Sequence, residues 1–190
     1  MVVYSHKYHK PYSNPEDMAK SDSFFLRGIV TSNGTTYASQ EIDLGSYVNL
    51  GVAKSTLLRI HNISVQITDD TVTSAISTNG NAKIGHQLTT QEQTGLVTAD
   101  DKSLVASGSL QLYNTEIASG SFATGQAVET FDIAPQKFTK GYLVGVDSLF
   151  IGVDQSAALD SGNVKVAYVM ECQLEAATQA NSVALALSQQ

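Results

Sequence analysis

Residues 163–175, NVKVAYVMECQLE, form the most regular alternating stretch of the chain and decide its fold class. Its even positions are all apolar or amphipathic: Val164, Val166, Tyr168, Met170, Cys172 and Leu174. Its odd positions include the charged or amide side chains of Lys165, Glu171 and Gln173. A period of two with one apolar face is typical of a β-strand that covers a core. Because no Pro or Gly interrupts the alternation, we expect this strand inside a sheet rather than at an exposed edge.

A second stretch, residues 56–68, changes its apolar face part-way along. Leu58 and Ile60 lie on one face. Ile63 and Val65 lie on the other face, because the apolar positions change from even-numbered to odd-numbered residues. Such a shift indicates a β-bulge, or a strand that changes partner where it crosses the corner of a sandwich.

Period-2 patterns and turn residues continue through most of the chain. Further candidate strands lie at residues 24–31, 36–44, 47–53, 82–88, 109–117, 127–133 and 141–153. The dipeptide Asn-Gly, which tolerates the positive φ angles of tight hairpins, occurs at 33–34 and 79–80. Residues 89–108 are polar and weakly patterned, which predicts a long surface loop, with or without a short strand of its own. Short strands at this spacing predict an all-β sandwich or barrel over residues 24–175.

Residues 1–23 predict an arm outside the sandwich. Tyrosines recur there every four residues, but Pro11 interrupts any helix through them, and a short helix begins near Pro15. Residues 1–15 carry lysines and histidines and no acid, whereas the body is acidic. We therefore expect the arm to order on assembly, lying across an adjacent copy. The expected contact residues are Tyr4, His6, Lys7, Tyr8, His9, Lys10 and Tyr12.

Residues 176–190 form a tail without any charged side chain. Val183, Leu185 and Leu187 fit the apolar face of a strand, whereas a stripe that begins at Ala180 fits a helix. The alanine content favours the helix slightly. In either form, we expect these apolar side chains to pack on the same chain or on a neighbouring copy.

Composition narrows the function classes. The 190 residues suit one domain, and only 15% are charged, with Ser, Thr, Asn and Gln in their place. This composition excludes coiled coils, collagen and disulfide scaffolds. The net charge of −7 argues against nucleic-acid binding by the body of the protein. No apolar stretch suits a membrane span or a secretory signal, so we expect synthesis in a cytoplasm.

No motif in the chain indicates catalysis. Residues 120–125 have the glycine spacing of a phosphate loop but lack its Lys and Ser/Thr. His6 and His9 are three residues apart but lack the further ligands that a zinc site needs. We expect a structural role for His61, which lies on the strand that changes its apolar face, whereas His86 stands alone. Cys172 is the single cysteine and lies on an apolar face, which predicts a buried thiol rather than a nucleophile.

Two acidic pairs, Asp69-Asp70 and Asp100-Asp101, lie in stretches typical of turns, where Asp makes local hydrogen bonds. A calcium site built from such loops stays open, because sequence does not show whether enough oxygen ligands converge. We expect no enzyme activity and no cofactor. The alternatives are a cupin-like metalloenzyme and a non-enzymatic binding module.

An acidic, Ser- and Thr-rich β domain with a polar arm and no catalytic motif resembles a known class of viral protein. These are the single jelly-roll major capsid proteins of tailless icosahedral viruses of archaea and bacteria. The resemblance implies an antiparallel two-sheet sandwich of jelly-roll type, with about eight main strands, a short N-terminal arm and a C-terminal tail. It also implies a structural subunit that self-assembles into an icosahedral shell, is made in a host cytoplasm and resides in the virion.

The partners implied by this resemblance are copies of the same chain. A second capsid protein, an inner membrane or an inner protein layer are further candidates. Capsid proteins that package single-stranded RNA often carry an arm dense in Arg and Lys. This arm has Lys7, Lys10 and Lys20 and no Arg, so we expect little direct nucleic-acid binding. The alternative interpretation is a binding module of lectin-like or fibre type.

Overall fold

The structure is a computed structural model that describes residues 21–50, 52–78, 80–114, 116–118, 121–122 and 126–189. The first strands are β1 (Phe24–Thr31), β2 (Ala38–Asp43), β3 (Ser55–Asp69), β4 (Gly80–Thr89) and β5 (Leu104–Asn114). Two short strands follow, β6 (Glu116–Ala118) and β7 (Ser121–Phe122). The last strands are β8 (Gln126–Ile133), β9 (Tyr142–Val144), β10 (Ser148–Gln155) and β11 (Val164–Ala177). A 3-10 helix spans Pro135–Lys137, and the α-helix α1 spans Gln179–Ser188.

The strands form two large antiparallel sheets and a small hairpin. One sheet has the order β1-β11-β3-β9 and the other β2-β10-β4-β5-β8, while β6 pairs with β7. Along the chain, β1 to β4 alternate between the sheets, β5 and β8 extend the second sheet, and β9 to β11 alternate again. Without the hairpin and β8, the remaining strands give each sheet four members in the order of a jelly roll. The predicted all-β, two-sheet sandwich of jelly-roll type is therefore confirmed.

Strand β11 lies inside its sheet, between β1 and β3, as its unbroken alternation predicts. Met170 pairs with Leu26 of β1 on one side and with Ile63 of β3 on the other. The even positions of β11 from Val164 to Cys172 are buried, whereas the odd positions face outwards and are partly exposed. Burial raises the pKa of the Cys172 thiol to about 12, so the thiol stays protonated and unreactive, as expected.

The change of face in β3 is a β-bulge at His61. Glu171 of β11 pairs with Asn62, and the next residue, Cys172, pairs with Ile60. His61 is therefore the extra residue, and the apolar residues on both sides of it can point into the core. The predicted bulge is confirmed.

The core lies between the two sheets and takes side chains from both. The largest fully buried apolar members include Leu58, Ile60, Ile63, Ile84, Leu88, Leu149, Ile151 and Met170. On one long side of the sandwich, β1 packs against β2 and β10. The order of the strands then sets β11 above β4, and β3 above β5.

The strand predicted at residues 47–53 is wrong for the described part of that range. Tyr47 and Val48 both donate their backbone N–H to the carbonyl oxygen of Leu44, which makes a tight turn. Beyond this turn lies one isolated bridge, between Asn49 and a residue of β3. Leu44 and Val48 are buried because the turn packs on the core. The apolar residues that resembled a strand in the sequence therefore belong to a buried turn.

The strand predicted at residues 141–153 is two strands in different sheets. β9 ends at Val144 and β10 begins at Ser148, so the chain crosses between the sheets at residues 145–147. The Asn-Gly turn at 33–34 is formed and is closed by one antiparallel bridge, between Asn33 and Thr36, but it joins β1 to β2 of the other sheet, so these two strands do not pair. Both sheets bury one face against the same core, so the alternation continues through a crossing and does not reveal it.

The loop predicted at residues 89–108 ends earlier, because β5 already begins at Leu104. The loop lies over the outer face of β4, where the side chain of Gln87 holds it. Gln87 donates to the carbonyl oxygen of Gly95 at 2.9 Å and accepts from the N–H of Val97 at 2.8 Å. The outer face of β4 at Gln87 is therefore covered by the chain itself.

The tail forms the helix α1, which settles the choice between helix and strand. β11 runs to Ala177, and the hydroxyl oxygen of Thr178 accepts from the N–H of Asn181 at 3.3 Å, as an N-cap does. Among the helices in the described ranges, none is both long and apolar enough to cross a lipid bilayer.

Candidate functional site

The arm residues expected to contact a neighbouring copy all lie outside the described residues. They are Tyr4, His6, Lys7, Tyr8, His9, Lys10 and Tyr12. Their role stays a prediction. The described chain begins at Ser21, whose backbone N–H donates to the carbonyl oxygen of Leu174 at 3.2 Å. The side chain of Gln173 donates to the carbonyl oxygen of Ser21 at 2.6 Å, so the root of the arm is fixed beside β11.

Helix α1 is held against the sandwich by polar contacts. Ser182 is buried, and its hydroxyl lies 2.9 Å from the hydroxyl oxygen of Ser55. At the other end, the side chain of Gln189 accepts from the N–H of Gly145 at 2.8 Å and donates to the carbonyl oxygen of Leu143 at 2.6 Å. These bonds fix one face of the helix on the body of the protein.

The opposite face of α1 is apolar and exposed. Leu187 is 66% exposed, and Val183, one turn earlier, is 43% exposed. Leu185 is partly buried, and its Cδ2 lies where it would be 2.9 Å from a Cβ built on Gly145. Of the three predicted tail contacts, Leu185 therefore packs on its own chain. Val183 and Leu187 form what we call the helix surface.

A second apolar surface lies on the outer face of β1. Leu26 and Val30 point into the core, so the odd-numbered residues of β1 point outwards. Phe25 is 56% exposed and Ile29 is 50% exposed. Arg27 lies over the ring of Phe25, with its guanidinium carbon 5.8 Å from the ring centroid. We call Phe25 and Ile29 the strand surface.

The core contains a polar pair that connects the two sheets. His86 on β4 and Tyr168 on β11 are both buried, and Nδ1 of the histidine lies 2.6 Å from the tyrosine hydroxyl. Burial lowers the pKa of His86 to about 4, against a smaller upward effect of Asp132, so the ring is neutral at pH 7. Burial raises the pKa of Tyr168. Sequence reasoning missed this pair, although the signal is present in the inward face of β4: Ala82, Ile84, His86 and Leu88.

The surroundings of His86 suit a structural role. Its Nε2 has no hydrogen-bond partner among the described residues. A Cβ built on Gly108 would lie 2.8 Å from Nε2, and the ring of Phe131 packs edge-on with its centroid 5.6 Å away. These contacts leave no room for a substrate beside the ring.

His61 also takes part in local structure. Its Nε2 lies 3.2 Å from Oε1 of Gln173 on the neighbouring strand. Within the described ranges, no group of three or more His, Cys, Asp or Glu side chains is placed to hold a metal ion. The geometry of His61 therefore matches the structural role expected from the sequence.

The acidic pairs make the local hydrogen bonds expected of turns. Asp69 accepts from the hydroxyl of Thr71 and from backbone N–H groups, which lowers the pKa of its carboxyl. Asp100 accepts from the hydroxyl of Thr98, which lowers its pKa in the same way. These carboxylates serve the turns in which they lie.

One shallow groove could hold a small ligand. It has a volume of about 340 Å³ and is lined by residues that include Ile76, Thr78, Leu112, Tyr113 and Ala127. Tyr113 is 43% exposed, and its hydroxyl donates to the side chain of Gln111. A smaller groove of about 180 Å³ is also lined by Tyr113. An exposed tyrosine that lines two grooves suits a small polar ligand.

Solved structures of viral capsid proteins are similar to this chain. Human polyomavirus 12 VP1 in complex with 3'-sialyllactosamine has a TM-score of 0.40 and 8% identity, over 83% of this chain and 100% of that chain. The Desmodium yellow mottle tymovirus structure has a TM-score of 0.35 and 10% identity, over 93% and 97%. Apo New Jersey polyomavirus VP1 has a TM-score of 0.39 and 9% identity, over 83% and 100%.

No family model matches the chain, and no curated protein matches it. At identities of 8 to 10%, the similar structures do not bear on ligands, activity or assembly. The jelly-roll assignment rests on the strand order described above.

Proposed function

We propose that this chain is a structural subunit of a viral capsid that self-assembles into an icosahedral shell and resides in the virion. The observation that carries the proposal is the presence of two separate apolar surfaces on one rigid sandwich. The strand surface (Phe25 and Ile29) and the helix surface (Val183 and Leu187) expose large side chains that a monomer would gain from covering.

The fixed position of the helix surface favours association. Ser182 and Gln189 hold α1 in place, so docking of the helix orders few additional groups. The tail has no charged side chain, so its burial in a contact does not require the desolvation of a charged group. The two surfaces differ from each other, and a contact between unlike surfaces is head-to-tail, which closes into rings when the rotation allows.

The internal position of the reactive side chains also supports a structural function. His86 and Cys172, the side chains best suited to catalysis by type, are buried and engaged in the core. Copies of the same chain are the partners that the proposal requires. A second capsid protein, an inner membrane and an inner protein layer stay predictions.

The proposal is tested by the mass and shape of the purified full-length protein. We expect light scattering and electron microscopy to show closed particles of uniform size, many times heavier than the 20.2 kDa chain. A monomer at every protein concentration and ionic strength would contradict the proposal.

A pair of variants tests the helix surface. We expect Val183→Ser with Leu187→Ser to keep the wild-type unfolding temperature but to form fewer particles. Phe138→Ser is the matched control, because Phe138 is 52% exposed in a turn outside both apolar surfaces. Equal loss of particles in the control would contradict a specific contact at α1.

A lectin-like or fibre-type binding module is the second candidate, favoured by the groove beside Tyr113. It requires a stable monomer or small oligomer that binds soluble sugars. Sugar binding that is lost in Tyr113→Ala, in a protein that forms no particles, would favour this candidate.

A further inference from the structure

Strand β3 is paired on both sides for only part of its length. β11 runs along the whole of one side, whereas β9 covers only Leu58–Ile60 on the other. Beyond the bulge, the side chain of Gln136 takes the place of a strand. It accepts from the N–H of Ile63 at 3.2 Å and donates to the carbonyl oxygen of Ile63 at 3.0 Å. Among the described residues, no backbone group pairs with Val65 or Ile67 on this side.

The hydrogen-bond pattern shows where the unpaired groups point. The side-chain amide bound to Ile63 shows that the N–H and C=O of this residue point away from β11. In an antiparallel ladder the same orientation recurs at every second residue, and hence at Val65 and Ile67. A second hydrogen bond agrees with this orientation. The N–H of Asp70 donates to the carbonyl oxygen of Asn163 at 3.1 Å, so the backbone groups of the even-numbered residues point towards β11 and those of the odd-numbered residues point away from it. We call Val65–Ile67 the open edge.

The space between the sheets is also open beside this edge. Phe131 of β8 faces the core, where it contacts the buried histidine ring. Ala127 and Glu129 lie on the same face of β8, four and two residues before Phe131, and both are exposed. Val65 and Ile67 face the core from β3 and are only partly buried. One further strand along β3 would cover these side chains and pair the free backbone groups.

We propose that the open edge binds residues 2–9 of a second copy of this chain as an added antiparallel strand. This inference rests on the self-assembly proposed above and assigns one of its contacts. Residues 2–9, VVYSHKYH, alternate between a face with Tyr4 and Tyr8 and a polar face with Lys7. An exposed strand edge pairs readily with such a segment, because main-chain bonds supply affinity and alternate side chains fill the space beside it.

Charge complementarity supports this occupant. Residues 1–15 contain no acid, and His6 and Lys10 share the even-numbered face of the segment with Tyr4 and Tyr8, whereas Lys7 lies on the other face. The opening contains the exposed carboxylate of Glu129, and the whole chain has a net charge of −7. A segment that brings lysines to an acidic body is favoured over the acidic stretches of the same chain.

The positions of the arm, which is the donor of the added strand, and of the open edge, which is its acceptor, favour binding to a second copy over binding within the same chain. Ser21 is bonded to Leu174 beside β11, on the side of β1. The arm therefore leaves the sheet at the edge opposite to the open edge of β3. A donor at one edge and an acceptor at the other make a head-to-tail contact, which propagates from copy to copy and can close a ring.

Two variants of the full-length protein separate donor from acceptor. Deletion of residues 2–13 removes the donor and leaves the open edge intact. Ile67→Pro removes an N–H that points away from β11, so the ladder inside the sheet is kept while the added strand loses a bond. Ile67→Val is the matched control, because it keeps the N–H.

We expect each variant alone to form no complete particles and Ile67→Val to assemble like the wild type. Mixing the deletion variant with Ile67→Pro should give pairs of one copy each, in excess of the association of either variant alone, because the mixture has one intact donor and one intact acceptor. A mixture that associates no more than either variant alone, or either variant assembling normally, would overturn the inference. If the wild type assembles in that case, the proposed function survives; if the wild type also stays monomeric, both fail.

A second measurement keeps the inference testable if Ile67→Pro does not fold. A fluorescent peptide of residues 1–13 is titrated into the deletion variant, and its anisotropy is compared with that of a scrambled peptide. We expect the native order to bind at least about tenfold more tightly, because only that order matches the alternation of the open edge. Equal binding of both peptides would overturn the inference.

Discussion

The two long sides of the sandwich differ in how completely they are closed. On the side of β1, β2 and β10, a Cβ built on Gly28 would lie 2.5 Å from Cδ1 of Ile42 and 2.6 Å from Cδ1 of Ile151. On the side of β3, β5 and β8, Ala127 and Glu129 point inwards and are exposed. Both sides belong to the same jelly roll, so the topology alone does not decide whether a side is closed.

The length of the edge strand explains the difference. β1 has eight residues and pairs with β11 over all of them, whereas β9 has three residues and leaves most of β3 unpaired. The 3-10 helix at Pro135–Lys137 lies where a longer edge strand would run, and it supplies only the side chain of Gln136. One fold can therefore have a closed side, which stabilises the monomer, and an open side with unpaired strand groups, which a partner can bind.

The largest loss of stability is expected for a substitution in the centre of the core, midway between the two sides, where side chains of both sheets meet. Met170 is fully buried, so Met170→Asp places an unpaired charge in the core and should destabilise the protein by more than about 4 kcal/mol. Val169→Asp is the matched control, because Val169, which precedes Met170 on the strand, faces outwards and is partly exposed. We expect the control to fold and Met170→Asp to give no soluble folded protein in circular dichroism and denaturant unfolding. Normal folding of Met170→Asp would contradict the assignment of the faces.

The next effect is a pH dependence of the free energy of unfolding that comes from the buried His86. The pKa of His86 is about 4 in the folded protein and about 6.5 in the unfolded chain, so the unfolded chain binds the proton more readily. Stability therefore falls as the pH decreases from about 6.5 to about 4, by up to about 3 kcal/mol. His86→Phe removes this contribution, which denaturant unfolding at several pH values can measure. A variant with the same pH dependence as the wild type would show that the ring does not titrate as expected.

The smallest effect compares the two sides directly. Gly28→Ala adds a methyl group on the closed side, where Ile42 and Ile151 must shift, and should cost about 1–2 kcal/mol. Ala127→Val adds volume on the open side and should change the free energy of unfolding by less than about 0.5 kcal/mol. Both values come from denaturant unfolding of the unassembled protein. Similar costs at the two positions would mean that the sides are equally closed.

The sequence predicts the parts of this fold that depend on local alternation. The interior strand at residues 163–175 and the bulge at His61 follow from which positions are apolar, and both are confirmed. The change of sheet at residues 145–147 does not follow, because both sheets bury one face in a single core and the alternation continues across the crossing. For the same reason, the buried turn at Leu44 resembles a strand in sequence.

The candidate site depends on contacts that sequence patterns do not contain. His86 and Tyr168 are 82 residues apart and meet only because β4 lies beneath β11. The open edge exists because β9 is short and Gln136 replaces a strand beside Ile63, which are properties of tertiary packing. The exposed tail was predictable to a greater extent, because an uncharged segment with spaced apolar residues indicates contacts in either secondary structure.

Residue-resolved hydrogen exchange along β3 tests most directly whether assembly closes the open side. The amides of Val65 and Ile67 point to the open edge, whereas those of Ser64 and Gln66 point to β11 and serve as internal controls. In the variant without residues 2–13, we expect fast exchange at Val65 and Ile67 and slow exchange at the two controls. In assembled full-length protein, we expect all four amides to exchange slowly. Fast exchange at Val65 and Ile67 in the assembled protein would contradict the claim that a neighbouring copy closes this side.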